Sequence, residues 1–263
     1  MIDTVPDILA RIVARKREEL ASARSASGEL ALRAECILSQ RRDFRAALRC
    51  NSPAIIAEIK KASPSRGVLA EDFNPVRTAG EYELGGAAAL SVLTDETFFQ
   101  GSLADLEGAR QATRLPVLRK DFTLEEFHVL EAAAHGADAI LLIAAILDDY
   151  QIRHLREFAA RWDIAALVEV HDETELDRAF ASGAQLIGVN NRNLTTFEVT
   201  LETSLRLAER IPTGILRVSE SGIHSAEDIR VLQGAGYQAF LVGEHLMQAP
   251  SAEAALRDLV TPA

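Results

Sequence analysis

The sequence predicts an α/β fold of one kind, a (β/α)8 TIM barrel with an N-terminal helical extension. Three observations predict it. From about residue 54 onward, eight short β-branched or apolar runs alternate with helical stretches. Between Glu58 and Gly243 these runs recur about every 26 residues, the length of one strand–helix unit. The first run is followed by Lys60-Lys61-Ala62-Ser63-Pro64-Ser65, not by the Gly-rich phosphate fingerprint that usually follows the first strand of an open doubly wound sheet. Strands alternating singly with helices form a parallel sheet, and eight of them suffice to close it.

Residues 1–50 are read as the helical extension and residues 51–263 as the barrel, a single domain. In the extension Ile8, Leu9, Ile12 and Val13 recur at helical spacing, and Asp3, Thr4 and Pro6 suit a helix start. Two helices are expected there, divided by a polar break near Ser25-Ala26-Ser27-Gly28. The eight expected strands are Ile55–Lys60, Ala89–Thr94, Val117–Lys120, Ala139–Ile143, Ala166–Val170, Leu186–Asn190, Leu216–Glu220 and Phe240–Gly243. Gly86-Ala87, Gly136-Ala137 and Gly183-Ala184 each precede a strand, where a glycine can end the preceding helix.

Composition bounds the function. Lys and Arg number 28 against 39 Asp and Glu, a net charge of −11 that argues against nonspecific binding to nucleic acid or anionic membrane. The two cysteines, Cys36 and Cys50, imply neither a disulfide framework nor a Cys-rich zinc site. Arg11, Arg15, Lys16 and Arg17 interrupt the apolar core a signal peptide would need. No run approaches the ~18 apolar residues of a membrane span. A cytoplasmic monomer acting on a small molecule is expected.

Active sites of such barrels lie at the C-terminal ends of the strands. Side chains alternate along a strand, so Ile56, Glu58 and Lys60 share one face, Leu118, Lys120 and Phe122 another, then Leu167 with Glu169, and Gly188, Asn190 and Arg192. Glu58, Lys60, Lys120, Glu169 and Asn190 thus converge on one mouth. Any one of them could merely fix strand register through an ion pair. Five together point to chemistry, because charges facing a barrel interior are costly unless paired. Two lysines and two carboxylates in one cavity can be held at different protonation states, which supplies an acid and a base together. Schiff-base formation by a lysine is a competing use.

A phosphate site is expected after the seventh and eighth strands, where Gly222 and Gly243 can offer backbone N–H groups to an anion. Lys60 or Ser63 could assist. Phe98, Phe99 and Phe122 fall at the same mouth, and Phe122 with one of the other two suits an apolar slot for a ring. The histidines, His128, His135, His154, His171, His224 and His245, show no metal-ligand spacing and are read mostly as surface or capping residues. No metal is expected. HExxH and GxSxG are absent.

The stretch Ala57-Glu58-Ile59-Lys60-Lys61-Ala62-Ser63-Pro64-Ser65 closely resembles the signature of the indole-3-glycerol phosphate synthase family, barrel enzymes of tryptophan biosynthesis. The similarity continues through Ser91–Asp95, Phe99–Ser102, Leu118–Phe122, Val168–His171, Gly188–Leu194, Ser219–Ile223 and Leu241–Glu244, covering all but one of the barrel strands in order. The resemblance implies a cofactor-free decarboxylase that closes the indole ring of 1-(2-carboxyphenylamino)-1-deoxyribulose 5-phosphate with loss of CO2 and water. It implies that Lys120 is the general acid on the substrate carbonyl. Lys60 would contact the substrate carboxylate and is a candidate second acid. Glu58 and Glu169 match the family's carboxylates, one removing a proton and the other orienting or stabilising cationic intermediates, with the assignment open. Asn190 would hold the ribulose hydroxyls and Glu58, while Arg192, Glu220 and Ser221 line the site. Gly222, Gly243 and Glu244 match backbone phosphate ligands, and Phe99, Phe122 and Leu194 match the wall around the anthranilate ring. The chain departs from the family at Glu126-Phe127-His128, at Thr200 and at His245, none a proposed catalytic position. Other phosphate-binding barrel lyases and isomerases fit the Glu58, Lys60 and Lys120 set less well. A non-catalytic phosphosugar-binding protein would be expected to lack one of the acids or bases.

Overall fold

The computed structural model describes residues 7–64, 66–70 and 72–260, apart from the side chains of Asp7 and Ser22. The expected helix start at Asp3, Thr4 and Pro6, and Ser65 of the first-strand motif, lie outside the described residues. Eight parallel strands close into a barrel: β1 (Ala54–Ile59), β2 (Ala89–Leu93), β3 (Val117–Lys120), β4 (Ala139–Ile143), β5 (Ala165–Val170), β6 (Leu186–Asn190), β7 (Leu216–Glu220) and β8 (Ala239–Val242). Each pairs with the next in sequence, and Ala54–Ala57 of β1 stand opposite Ala239–Val242 of β8 at the closure. Every strand falls within one residue of its expected run. The runs were legible because both faces of a helix-covered strand are buried, so β1 reads as an almost unbroken apolar segment interrupted by Glu58.

Among the described residues, thirteen α-helices accompany the barrel: α1 (Asp7–Ala23), α2 (Ser27–Ile37), α3 (Phe44–Cys50), α4 (Pro75–Gly85), α5 (Glu96–Phe99), α6 (Leu103–Ala112), α7 (Glu126–Ala134), α8 (Asp149–Ala160), α9 (Glu173–Ala181), α10 (Glu202–Ala208), α11 (Ala226–Gly234), α12 (Glu244–Met247) and α13 (Ala252–Val260). Short polar side chains start many of them. Asn74, Ser102, Asp148, Asp172 and Ser225 each accept a hydrogen bond from a backbone N–H in the first helical turn. Gly86, Gly136 and Gly183 take left-handed conformations (φ +95°, +88° and +79°) at the helix ends, as their position before the strands suggested.

The extension differs from expectation. Its described residues form three α-helices, and the polar stretch near Ser25 is a 3-10 turn (Arg24–Ala26) running directly into α2. Ala23, Ala26 and Ser27 all keep right-handed helical dihedrals, since nothing in Arg-Ser-Ala forbids them. Phe44 and Leu48 bury α3 beside the start of β1. Asp138 ties this segment to the N-terminal end of the barrel: its carboxylate accepts from Val117 N–H (2.9 Å) and Arg42 N–H (2.8 Å) and pairs with Arg110. At the opposite end α1 lies over the strand C-termini, where Leu9 and Ile12 are buried. A two-residue hairpin, Ala62–Ser63 with Gly67–Val68, follows β1. It is too short to leave a periodicity in the sequence.

Candidate active site

A cavity of about 460 Å³ opens at the C-terminal ends of the strands. All fifteen candidate residues line it: Glu58, Lys60, Ser63, Phe99, Lys120, Phe122, Glu169, Asn190, Arg192, Leu194, Glu220, Ser221, Gly222, Gly243 and Glu244. Strand parity brings them there, since each charged residue sits at or just beyond a strand end with its alternate neighbours turned to the helices.

Two charge clusters form the polar centre. In one, Lys60 Nζ donates to Glu58 Oε1 at 2.6 Å. In the other, Lys120 Nζ lies between two carboxylates, 2.7 Å from Glu169 Oε2 and 3.2 Å from Glu220 Oε2. Burial alone would lower the Lys120 ammonium, but Glu169, Glu220 and Glu58 outweigh it and hold the group above the ordinary lysine value. Burial likewise raises the Glu169 carboxyl, and Lys120 first and then His171 reverse this, leaving it well below the carboxylate range. Glu220 behaves oppositely. Burial and the charge of Glu169 overcome Lys120 and push it up to about 7. Its Oε1 is buried without a hydrogen-bond partner. Gly188 makes room for it, since a Cβ there would overlap Glu220 Oε1.

Asn190 Oδ1 accepts from Ser221 Oγ and from Arg192 N–H, both at 3.0 Å. Ser221 and Gly222 follow β7 in successive left-handed conformations (φ +69° and +77°). A serine rarely adopts this conformation, and such strain concentrates at functional sites. A Cβ on Gly222 would lie 2.6 Å from Val199 Cγ1. Gly243 has a tighter constraint: a Cβ there would overlap Glu58 Oε1. This glycine is therefore needed by the Glu58–Lys60 pair, a role its position after β8 did not disclose. Glu244 lies between two guanidinium groups, 3.1 Å from Arg66 and 3.6 Å from Arg192. On the apolar side the Phe99 and Phe122 rings stand 6.1 Å apart, tilted by 38°, and Leu194 adjoins them in the wall. Phe98 packs on the core instead.

The structure adds residues that sequence reasoning missed. Ile8, Leu9 and Ile12 of α1 form part of the cavity wall. Beside them Lys16 pairs with Asp121 at 2.9 Å and Asp95 at 3.2 Å. Asp121 also accepts from Thr94 Oγ1 (2.6 Å) and Arg119 (3.1 Å), and Arg119 pairs with Glu131 at 2.6 Å. Asp95 caps α5 through Phe98 N–H, which places Phe99. The conjunction of charges in Leu118-Arg119-Lys120-Asp121 was the available signal. The reading of the histidines as mostly surface residues holds for exposed His224 but needs correction at His128 and His171. His128 is buried and accepts from Leu124 N–H at 3.1 Å, His224 and His245 line the cavity, and His171 contacts Glu169. Their scatter in sequence hid this, because loops from different strands meet only at the mouth.

The sequence from residue 9 to residue 259 matches the model of the family described as indole-3-glycerol phosphate synthase. The chain belongs to the indole-3-glycerol phosphate synthase family. A synthase of that name from Albidiferax ferrireducens is 52% identical over 98% of this chain and 99% of its own length. One from Koribacter versatilis is 51% identical over 96% and 98%. A solved 3-hexulose-6-phosphate synthase overlays with a TM-score of 0.62 at 16% identity, covering 78% of this chain and 97% of the other, which shows the shared barrel fold. The departures from the indole-3-glycerol phosphate synthase pattern find local roles. Phe127 and His128 are buried in α7. Thr200 Oγ1 accepts from Glu202 N–H at the start of α10.

Proposed function

We propose that this mouth closes the indole ring of 1-(2-carboxyphenylamino)-1-deoxyribulose 5-phosphate, losing CO2 and water, with acid and base supplied by its own side chains. The chain is a carboxy-lyase of tryptophan biosynthesis, as its family membership states. The observation that carries the site assignment is the Lys120 ammonium held between Glu169 and Glu220 inside the cavity. Attack of the ring carbon on the carbonyl develops an alkoxide, far more basic than an amine, so even a strongly held ammonium proton passes to it. Lys60, held by Glu58, meets the substrate carboxylate and serves the later departure of water. Loss of CO2 from the attacked carbon restores the aromatic ring. Glu169, charged at neutral pH, accepts the proton of the methylene carbon beside the nitrogen as the hydroxyl leaves as water, that carbon being acidic because the intermediate is cationic. Glu58 then orients Lys60 and offsets positive charge.

Binding follows the same division. The N–H groups around Gly222 and Gly243 receive the phosphate, with Ser63, Arg192 and Glu244 at that rim. Asn190 and Ser221 face the ribulose hydroxyls, and Phe99, Phe122 and Leu194 hold the aromatic ring. No step calls for a cofactor or a metal. The reading includes a cytoplasmic monomer, supported by the −11 net charge and by two exposed free cysteines. Among the described residues, no helix is long and apolar enough to cross a membrane.

The test is turnover of that substrate, followed by indole fluorescence. Lys120→Ala should lower kcat by about 10²–10⁴-fold, the usual contribution of a general acid. Near-native turnover by the folded variant would remove Lys120 from this role.

A further inference from the structure

Outside the cavity, one buried group contacts the reacting centre without lining it. His171 follows β5, two residues beyond Glu169, and is mostly buried. Its Nε2 lies 3.4 Å from Glu169 Oε1, whereas Lys120 engages the other oxygen of that carboxylate. Its other face is held by α9: Glu175 Oε2 lies 2.9 Å from Nδ1 and also accepts from the His171 backbone N–H at 2.8 Å. Nε2 is buried with no closer partner. The ring therefore bridges two carboxylates, and the glutamate on α9 fixes which nitrogen faces the site.

We propose that His171 is a positioning residue, an imidazolium braced by Glu175 that holds Glu169 charged and with Oε2 turned toward Lys120. This rests on the reading of Glu169 as the proton acceptor. The two oxygens of Glu169 are then divided between two cations, so the carboxylate has one orientation and little freedom to rotate away from the substrate. The charged groups facing His171 are Glu169 of β5 and Glu175 of α9, and the adjoining 3-10 turn, Ala144–Ile146, is apolar. Lys120 and Glu220 act beyond Glu169. Burial favours the neutral ring, but the two carboxylates prevail and raise His171 to about 10, so the cation persists across the neutral range.

The experiment is the pH profile of kcat for the wild type, His171→Gln, Glu175→Gln and Glu169→Gln. Glu169→Gln should lose most of its turnover, and the wild-type acid limb should lie well below the ordinary carboxylate range; near-native turnover in Glu169→Gln overturns the underlying reading, and the role of His171 with it. Given that limb, His171→Gln should lower kcat about tenfold, as the loss of a charge-assisted contact implies, with KM within about twofold. Its acid limb should move up by about one pH unit, because Glu169 loses a cation that opposes its protonation. Glu175→Gln should move the limb the same way by less. A folded His171→Gln protein with the wild-type limb overturns the proposal while leaving the assignment of Glu169 intact. If His171→Gln does not fold, Glu175→Gln decides: a raised limb supports the proposal and an unmoved one overturns it. A loss of stability alone would not move the limb.

Discussion

Lys16 of the first helix and Asp121, the residue after Lys120, form a buried ion pair at 2.9 Å. The lysine side chain is 6% exposed and the aspartate 4%, so neither charge has water as an alternative partner. The pair joins α1 to the end of β3 and holds Ile8, Leu9 and Ile12 over the cavity. Lys16→Met should destabilise the protein by about 3–5 kcal/mol, because it leaves Asp121 and Asp95 buried without their cation. It should also raise KM as α1 loosens. Chemical denaturation and steady-state kinetics on one preparation check both, and an unchanged denaturation midpoint would count against the clamp.

Glu169→Gln keeps the shape of the side chain but cannot accept a proton at neutral pH. The variant should lose far more in kcat than it gains in KM, the pattern of an interaction made mainly in the transition state. A pure KM effect would move the proton acceptor to Glu58.

Gly243→Ala tests the contact between β8 and β1. The added methyl meets Glu58 Oε1 and must displace the Glu58–Lys60 pair. Loss of kcat by about tenfold or more is expected, with a smaller change in phosphate inhibition, since a shift of the reacting groups by about 1 Å is costly in rate. Strong loss of inorganic phosphate inhibition with kcat preserved would instead assign Gly243 to the anion alone.

Glu220 links the site to stability. Its carboxyl ionises above about 4.5 in the unfolded chain but only above about 7 in the folded protein. Between these values the folded state binds the extra proton, so Glu220 costs stability as pH rises through this window, most fully above 7. Glu220→Gln should therefore raise Tm relative to wild type at pH 8, by a gain on the order of 1–3 kcal/mol, and the difference should vanish toward pH 4.5. Thermal scans at several pH values decide it, and an equal effect at all pH values would refute a protonation origin.

What was legible in the sequence follows from range. The strands showed through as apolar runs because their burial is set by local composition, and the facing of Glu58, Lys120, Glu169 and Asn190 followed from the two-residue period. The resemblance to a family placed Ser221, Arg192 and Glu244 at the same mouth. Lys16 looked like an ordinary charged residue on an amphipathic helix, because its partners lie some eighty and a hundred residues away. Gly243 was read as a phosphate ligand alone, because its need for a hydrogen in place of a side chain comes from Glu58 across the barrel closure. His171 was passed over for the same reason, since Glu175 acquires its meaning only once α9 folds back against β5.

Seven of the eight strand pairings join neighbours in sequence, whereas the closure joins residues 54–57 to 239–242. A chain emerging from the ribosome can therefore add strands to the sheet one by one, each over a single strand–helix unit, but the closure waits until β8 has emerged. Glu58 and Lys60 are among the first barrel residues to leave the exit tunnel, and the strand end that seats them at Gly243 is among the last. Catalytic competence thus waits for β8, and a nascent chain arrested before that strand would carry almost every reactive side chain without an enzyme having formed.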